Sequence, residues 1–204
     1  MILKSRLTTL ILILLTCLSA FSQSSQQAKI VLDKISKTIN KNVGFTAQYT
    51  AIGKGIGRSS GAIFVKGNKL KIVTPQMTLW SDGKTTWTYV KSIKEVNISY
   101  AKSANIQDLN PYALLGLYKT GYILSLKNNK TGYTVYIKSN KKTNKIKQAI
   151  ISTNKIYKPT IIKVLNGNYW TIIYIRNIKT TKLNDNIFHF NKSKAPGAEI
   201  VDLR

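Results

Sequence analysis

Acidic side chains are scarce in this sequence: seven Asp and Glu stand among 204 residues, against 32 Lys and Arg. Cysteine occurs once, at Cys17, and histidine once, at His189. Each shortage excludes something. Without a second cysteine no internal disulfide forms, so packing and sheet hydrogen bonds must hold any exported domain together. Beyond Cys17 there is no thiol for nucleophilic chemistry, and one histidine leaves too few soft ligands for a zinc centre. The acids are Asp33, Asp82, Glu95, Asp108, Asp185, Glu199 and Asp202, and only the last two lie close in sequence. That pattern offers neither a carboxylate cage for a metal nor an acid–base pair. No nucleophile elbow or phosphate loop occurs, which argues against an enzyme and leaves no cofactor to expect. After residue 22 no apolar run approaches the 18 residues a membrane-spanning helix needs, so the expected mature chain is soluble.

Lys4 and Arg6 precede an apolar stretch from Leu7 to Ala20, and Ala20-Phe21-Ser22 supplies a small-x-small cleavage site before Gln23. This reads as a secretory signal peptide over residues 1–22, followed by one domain over residues 23–204. Cys17 carries a rival reading as a lipoprotein signal; against it, Thr16 stands where such signals place a smaller residue, and the apolar run continues past it. The chain is therefore expected to be exported. The mature part would keep 30 basic residues and a formal charge of +23. Such a charge suits an anionic membrane surface or a polyanion, but a Lys-rich solvated sheet would look the same. Export argues against an intracellular nucleic acid as partner.

Ser24 to Lys41 carries Ala28, Val31, Leu32, Ile35 and Ile39 on one helical face, and Ser24 with Gln27 resembles a capping box. From Gly44 onward the period is two. Phe45, Ala47, Tyr49 and Ala51 alternate with polar residues, and Gly53 to Gly61 reads as a flexible loop. Its Gly-x-Gly-x-Gly lacks the strand and helix that a phosphate site requires. Asp82-Gly83 between Met77–Trp80 and Thr85–Val90 is a hairpin signal. The alternation beyond it predicts Trp87 and Tyr89 facing the interior and Thr86 and Thr88 facing away. Asn110-Pro111 starts a second helix within Ile106–Lys119, with Tyr112, Leu115 and Tyr118 near one face. Strand patterns then resume from Tyr122 to Asn177, and Lys182–Phe190 closes the set, with His189 on the surface between two buried rings. About ten short strands and two or three helices predict a mainly β fold: an open, incomplete antiparallel barrel under a helical lid.

Several strings carry a resemblance. Phe45-x-Ala47-x-Tyr49 follows the amphipathic helix, then come Ser60-Gly61-Ala62-Ile63-Phe64-Val65-Lys66 and Ser81-Asp82-Gly83-Lys84-Thr85-Thr86-Trp87-Thr88-Tyr89. Asn110-Pro111 with Leu114-Leu115, and Phe188-His189-Phe190 with Pro196-Gly197, complete the order. Over roughly residues 28–204 the chain resembles the LolA family of periplasmic lipoprotein carriers. The resemblance implies an open β-barrel with a helical lid that shelters lipoprotein acyl chains. It also implies an inner-membrane lipoprotein-releasing transporter and an outer-membrane acceptor as partners. One departure stands out: where the family has an Arg-Pro whose Arg helps latch the lid, this chain has Lys66-Gly67-Asn68-Lys69-Leu70. The lid is therefore expected to rest on apolar contacts from Val31, Ile35, Leu114 and Leu115. The candidate cavity residues are Phe45, Leu70, Ile72, Leu79, Trp87, Tyr89 and Val96, with Leu115 from the lid.

Overall fold

The computed structural model describes residues 23–39, 42–54, 57–102, 111–117 and 121–204. The signal-peptide reading, Cys17 included, lies outside the described residues, as do Ile106, Asn110, Tyr118 and the side chain of Tyr112. Twelve strands form one sheet, two more than the sequence count. They are β1 (Phe45–Gly53), β2 (Gly57–Lys66), β3 (Lys69–Val73), β4 (Met77–Ser81), β5 (Thr85–Val90), β6 (Glu95–Tyr100), β7 (Tyr122–Asn129), β8 (Gly132–Ser139), β9 (Ile146–Asn154), β10 (Pro159–Asn166), β11 (Tyr169–Thr180) and β12 (Glu199–Asp202). Helix α1 covers residues 23–38 and helix α2 is Pro111–Gly116.

The strand order is β12-β6-β5-β4-β3-β2-β1-β11-β10-β9-β8-β7, so β12 and β7 are free edges and the sheet stays open. All pairs are antiparallel except β12 with β6. Most neighbours are hairpins, which need only short turns. Besides the parallel β12–β6 pair, the exception is β1 against β11, which brings the start of the domain beside its end and joins the two halves of the sheet.

Local chemistry explains most turns. Asp82 Oδ1 accepts from the amides of Lys84 and Thr85, each at 2.8 Å, and Gly83 takes φ +94°. Gly67 takes φ +59° in the two-residue turn between Lys66 and Lys69. The expected loop from Gly53 to Gly61 is shorter than the sequence suggested, because β2 already starts at Gly57 and pairs with the whole of β1. Gly61 is there for closeness: a Cβ on it would sit 2.1 Å from the carbonyl oxygen of Val73.

Helix α1 buries Ala28, Val31, Leu32, Ile35 and Ile39 against the sheet. Ser24 lies inside the helix rather than at a capping box. Its hydroxyl accepts from the Leu126 amide at 3.1 Å, giving a partner to a backbone donor on edge strand β7. Lys182–Phe190 is not a strand: Asp185–Phe188 forms a 3-10 turn capped by Asn184, and a second such turn follows at Lys192–Lys194. The Phe188-His189-Phe190 alternation imitated a strand, yet this segment pairs with neither edge of the sheet. It crosses the outer face of β3 and β4 instead, with Phe188 fully buried. Asp185 fastens it there, meeting Lys66 Nζ at 2.9 Å and Lys69 Nζ at 2.7 Å.

Two outcomes follow. Gly61→Ala should lower stability by on the order of 1–3 kcal/mol, since backbone rather than a flexible side chain must yield; thermal unfolding reads this. Hydrogen bonds from Lys69 and then Lys66 hold the Asp185 carboxyl down at about 2. A depressed folded pKa contributes stability above the unfolded value, and that stability is lost as pH falls through about 2. Asp185→Asn should therefore lower the melting temperature slightly at pH 7 and converge with the parent near pH 2.

Candidate functional site

The two faces of the sheet follow from its register. Phe45, Ala47, Tyr49 and Ala51 of β1 stand opposite Val65, Ile63, Gly61 and Ser59 of β2, and the same face continues through Leu70 and Ile72 to Ser81 and Leu79. On the other side it runs through Ile175 and Ile173 of β11, Ile162 of β10, Ile151 of β9 and Val135 of β8. The α1 side chains join this inner face in one core, with Leu114 and Leu115 of α2.

The helices do not fill it. A cavity of about 390 Å³ lies between β1–β4, β10 and β11, lined by eighteen residues that include Ile39, Phe45, Ala47, Tyr49, Ile63, Ile72, Met77, Leu79, Leu114, Ile162 and Ile175. No lining residue carries a formal charge at neutral pH. One end is closed: Ile39, Phe45, Ala47, Leu114, Ile162 and Ile178 are buried. Towards the other end Tyr49, Ser59, Thr171, Ile173 and Ile175 are half-exposed, so this end is the mouth among the described residues. The few hydroxyls gather here, with Tyr49 Oη 3.5 Å from Ser59 Oγ. Along β1 the cavity runs from Phe45 to Ala51, six strand steps or about 20 Å.

Of the residues expected from sequence, Phe45, Ile72 and Leu79 line this cavity. Leu70 and Leu115 belong to the packed core beside it. Trp87, Tyr89 and Val96 do not reach it. Trp87 pairs with Trp80 and Ile98, and Tyr89 with Thr78 and Val96, all on the outer face. The expected orientation is thus reversed. Thr86 faces inward, fully buried, and its hydroxyl donates to Ser81 Oγ at 3.2 Å. Alternation distinguishes two faces without saying which is covered by helices, and here both are covered. The C-terminal segment places Phe190 5.4 Å from Trp80 and exposed His189 5.9 Å from Trp87, ring centre to ring centre. Sequence reasoning missed Tyr49, Ile63, Met77, Ile173 and Ile175. The period-two partners of Phe45 along β1 were the available signal for the first of these.

Apolar contacts hold α1, as Val31, Ile35, Leu114 and Leu115 are all buried, but a polar contact adds to them. Lys34 Nζ donates to Tyr157 Oη at 2.9 Å and lies 4.6 Å from the centre of that ring, which stacks on Tyr133 at 4.9 Å. Tyr157 adopts φ +61° in the β9–β10 turn, a conformation side chains rarely take. The hydrogen bond from Lys34, then hydrogen bonding with Tyr133, pulls the Tyr157 hydroxyl below its ordinary pKa, and the bond to Tyr157 raises that of Lys34.

With this geometry in hand, a family model described as outer membrane lipoprotein carrier protein LolA matches residues 18–168. The chain belongs to this family. The LolA match ends before β11 and the C-terminal segment, so Phe188-His189-Phe190 and Pro196-Gly197 lie beyond it. The chain is also 26% identical over 167 residues to the outer-membrane lipoprotein carrier protein of Haemophilus influenzae, covering 74% of this chain and 75% of that one. Among solved structures, an uncharacterized conserved protein from Thermus thermophilus shares the fold with a TM-score of 0.54 at 12% identity, covering 86% of this chain and 99% of that chain. A LolA superfamily protein from Nitrosomonas europaea aligns with a TM-score of 0.41 at 11% identity over 82% and 98% of the two chains.

If the Lys34–Tyr157 contact restrains α1, Tyr157→Phe keeps the ring stack and loses one charge-assisted hydrogen bond. An apolar fluorescent probe should then enter the cavity about 2- to 10-fold faster in stopped-flow mixing, with the circular dichroism spectrum unchanged.

Proposed function

We propose that this LolA-family protein is a periplasmic carrier that shelters the acyl chains of lipoproteins between the inner and outer membranes. The observation that carries this reading is the uncharged cavity, closed at one end and open at the other. Its length fits the cargo. A bilayer's hydrocarbon core is about 30 Å for two leaflets, so one acyl chain spans about 15 Å, and the cavity offers about 20 Å along β1.

Burial of a chain of about 16 carbons contributes at most roughly 13 kcal/mol at about 0.8 kcal/mol per methylene. A deep, fully closed pocket would make release into water prohibitively slow. The half-exposed mouth moderates the affinity, and the cargo leaves by direct transfer to a protein that covers it. An inner-membrane lipoprotein-releasing transporter would load the carrier and an outer-membrane acceptor would unload it. The hydroxyls of Tyr49, Ser59 and Thr171 suit the polar ester end of the lipid, while Ile72, Leu79 and Ile162 take the apolar tail. Phe45 closes the inner end. Nothing in this cycle needs a reacting group, which accords with a binding protein rather than a catalyst.

Ile173 and Ile175 are half-exposed near the mouth, so a charge there costs the fold little and the cargo much. Ile173→Asp and Ile175→Asp should each weaken binding of a fluorescent fatty acid, and of a competing diacylated lipopeptide, by tenfold or more. Trp87→Phe, on the outer face, should leave both unchanged. Equal affinity in all three folded variants would place the acyl site elsewhere.

A further inference from the structure

Five hairpin turns lie at the mouth end of the sheet; the β5–β6 turn on one side ends in Glu95, whereas three turns on the other side are neighbours without an acid. The β1–β2, β10–β11 and β8–β9 turns belong to strands that are neighbours in the order β2-β1-β11-β10-β9-β8. Gly53 pairs with Thr171 and Asn166 with Ile146, which sets all three tips at the end where the cavity opens. Their composition is one-sided. The tips supply Lys54 and Arg58, then Lys141 and Lys142, and none contains an acid; indeed no Asp or Glu occurs between Asp108 and Asp185. Tyr169 is 51% exposed and Trp170 38% exposed at the lip, beside Thr171 of the cavity. Lys54 Nζ lies 4.3 Å from the centre of the Tyr169 ring and donates to its hydroxyl at 3.0 Å.

We propose that this basic, aromatic rim is a membrane-docking edge that seats the mouth of the cavity on an anionic lipid bilayer. The proposal rests on the carrier reading and names a further partner for the same site. Lysine and arginine near an anionic leaflet gain attraction additively, and Trp and Tyr settle at the boundary between headgroups and acyl chains. A mouth held against that boundary sits beside the membrane proteins that would load and unload it, so an acyl chain need not cross water. The occupant is a lipid surface rather than a second copy of the chain, since two such rims would repel.

The test is co-sedimentation of the purified protein with vesicles of phosphatidylcholine containing about 30% phosphatidylglycerol, against pure phosphatidylcholine, at low and high salt. The parent should bind the anionic vesicles, with a blue shift in Trp emission, and lose them at high salt. Lys54→Glu/Arg58→Glu should reduce partition at least tenfold, and Trp170→Ala several-fold with loss of the blue shift. Lys130→Glu/Lys155→Glu makes the same charge change at the opposite end of the sheet and should stay within about twofold of the parent. Equal losses in both double variants would overturn the proposal, reducing binding to overall charge. So would a parent that ignores vesicles and is captured by an acidic peptide through the same rim. Fatty-acid binding measured without vesicles separates the two readings. Rim variants that bind the probe but show no selective loss of partition sink the rim alone. A parent that partitions through the rim but binds no probe sinks the carrier and keeps the rim.

Discussion

Covering the inner face of an open sheet is the constraint from which the rest of this structure follows. From β1 to β4 and from β7 to β11 the strands present one continuous apolar inner face, and among the described residues a helix of about four turns with a six-residue helix cannot cover all of it. Helix α1 packs over the β7–β9 side, where Leu124, Val135, Ile137 and Ile151 join its side chains in the core. The remainder, around β1, stays open because no bulky side chain projects from Ala47 or Ala51 to fill it. A cavity therefore arises from incomplete coverage rather than from a hole cut into a packed core. That distinction matters energetically, because the lining residues already have neighbours in their own sheet and the missing contacts are those a guest can supply.

The outer face solves a different problem. Over β4–β6, Trp80, Trp87, Tyr89 and Val96 make it apolar, and the C-terminal segment lies across part of the outer face at β3 and β4. Few acids are available, and those that remain are used at junctions. Asp185 anchors the segment to Lys66 and Lys69, Asp82 closes the β4–β5 turn, and Asp202 pairs with Arg204 beyond β12. The lysines without such partners stay solvated and repel one another. The positive field is thus a consequence of acid scarcity, and the three neighbouring tips at the cavity mouth, where no acid dilutes it, are where it is most one-sided.

Elements set by neighbouring residues were legible in the sequence. The α1 face was written in the spacing of Val31, Leu32, Ile35 and Ile39, and the β4–β5 turn in Asp82-Gly83. The open sheet followed from repeated hairpins. What depended on distant chain was not legible. The face of Trp87 is decided by Phe190 and His189, a hundred residues away, and no local pattern reports that. Gly61 looked like a loop residue, although it is a strand residue that must let the Val73 carbonyl approach. The Phe188-His189-Phe190 alternation satisfied a strand pattern, but the segment crosses the outer face of β3 and β4 and pairs with neither edge. Of the cavity, Phe45, Ile72 and Leu79 were found because they alternate in strands whose inward face is also the more apolar one.

The departure from the family's Arg-Pro acquires a physical sense here. A guanidinium buried on closing must find several acceptors and give them up together on opening, which makes the closed state directional and costly to leave. In this chain the corresponding turn, Lys66-Gly67-Asn68-Lys69, faces outward and holds the C-terminal segment instead. The polar restraint on α1 is the Lys34–Tyr157 contact at the sheet's closed end, where water can replace either partner as it breaks. Opening then costs mainly the apolar area lost between α1, α2 and the sheet, and on the proposed carrier reading an entering acyl chain would restore area of the same kind. On that reading cargo and lid would compete for one apolar surface, and loading would loosen the lid without any signal passing through a charged network.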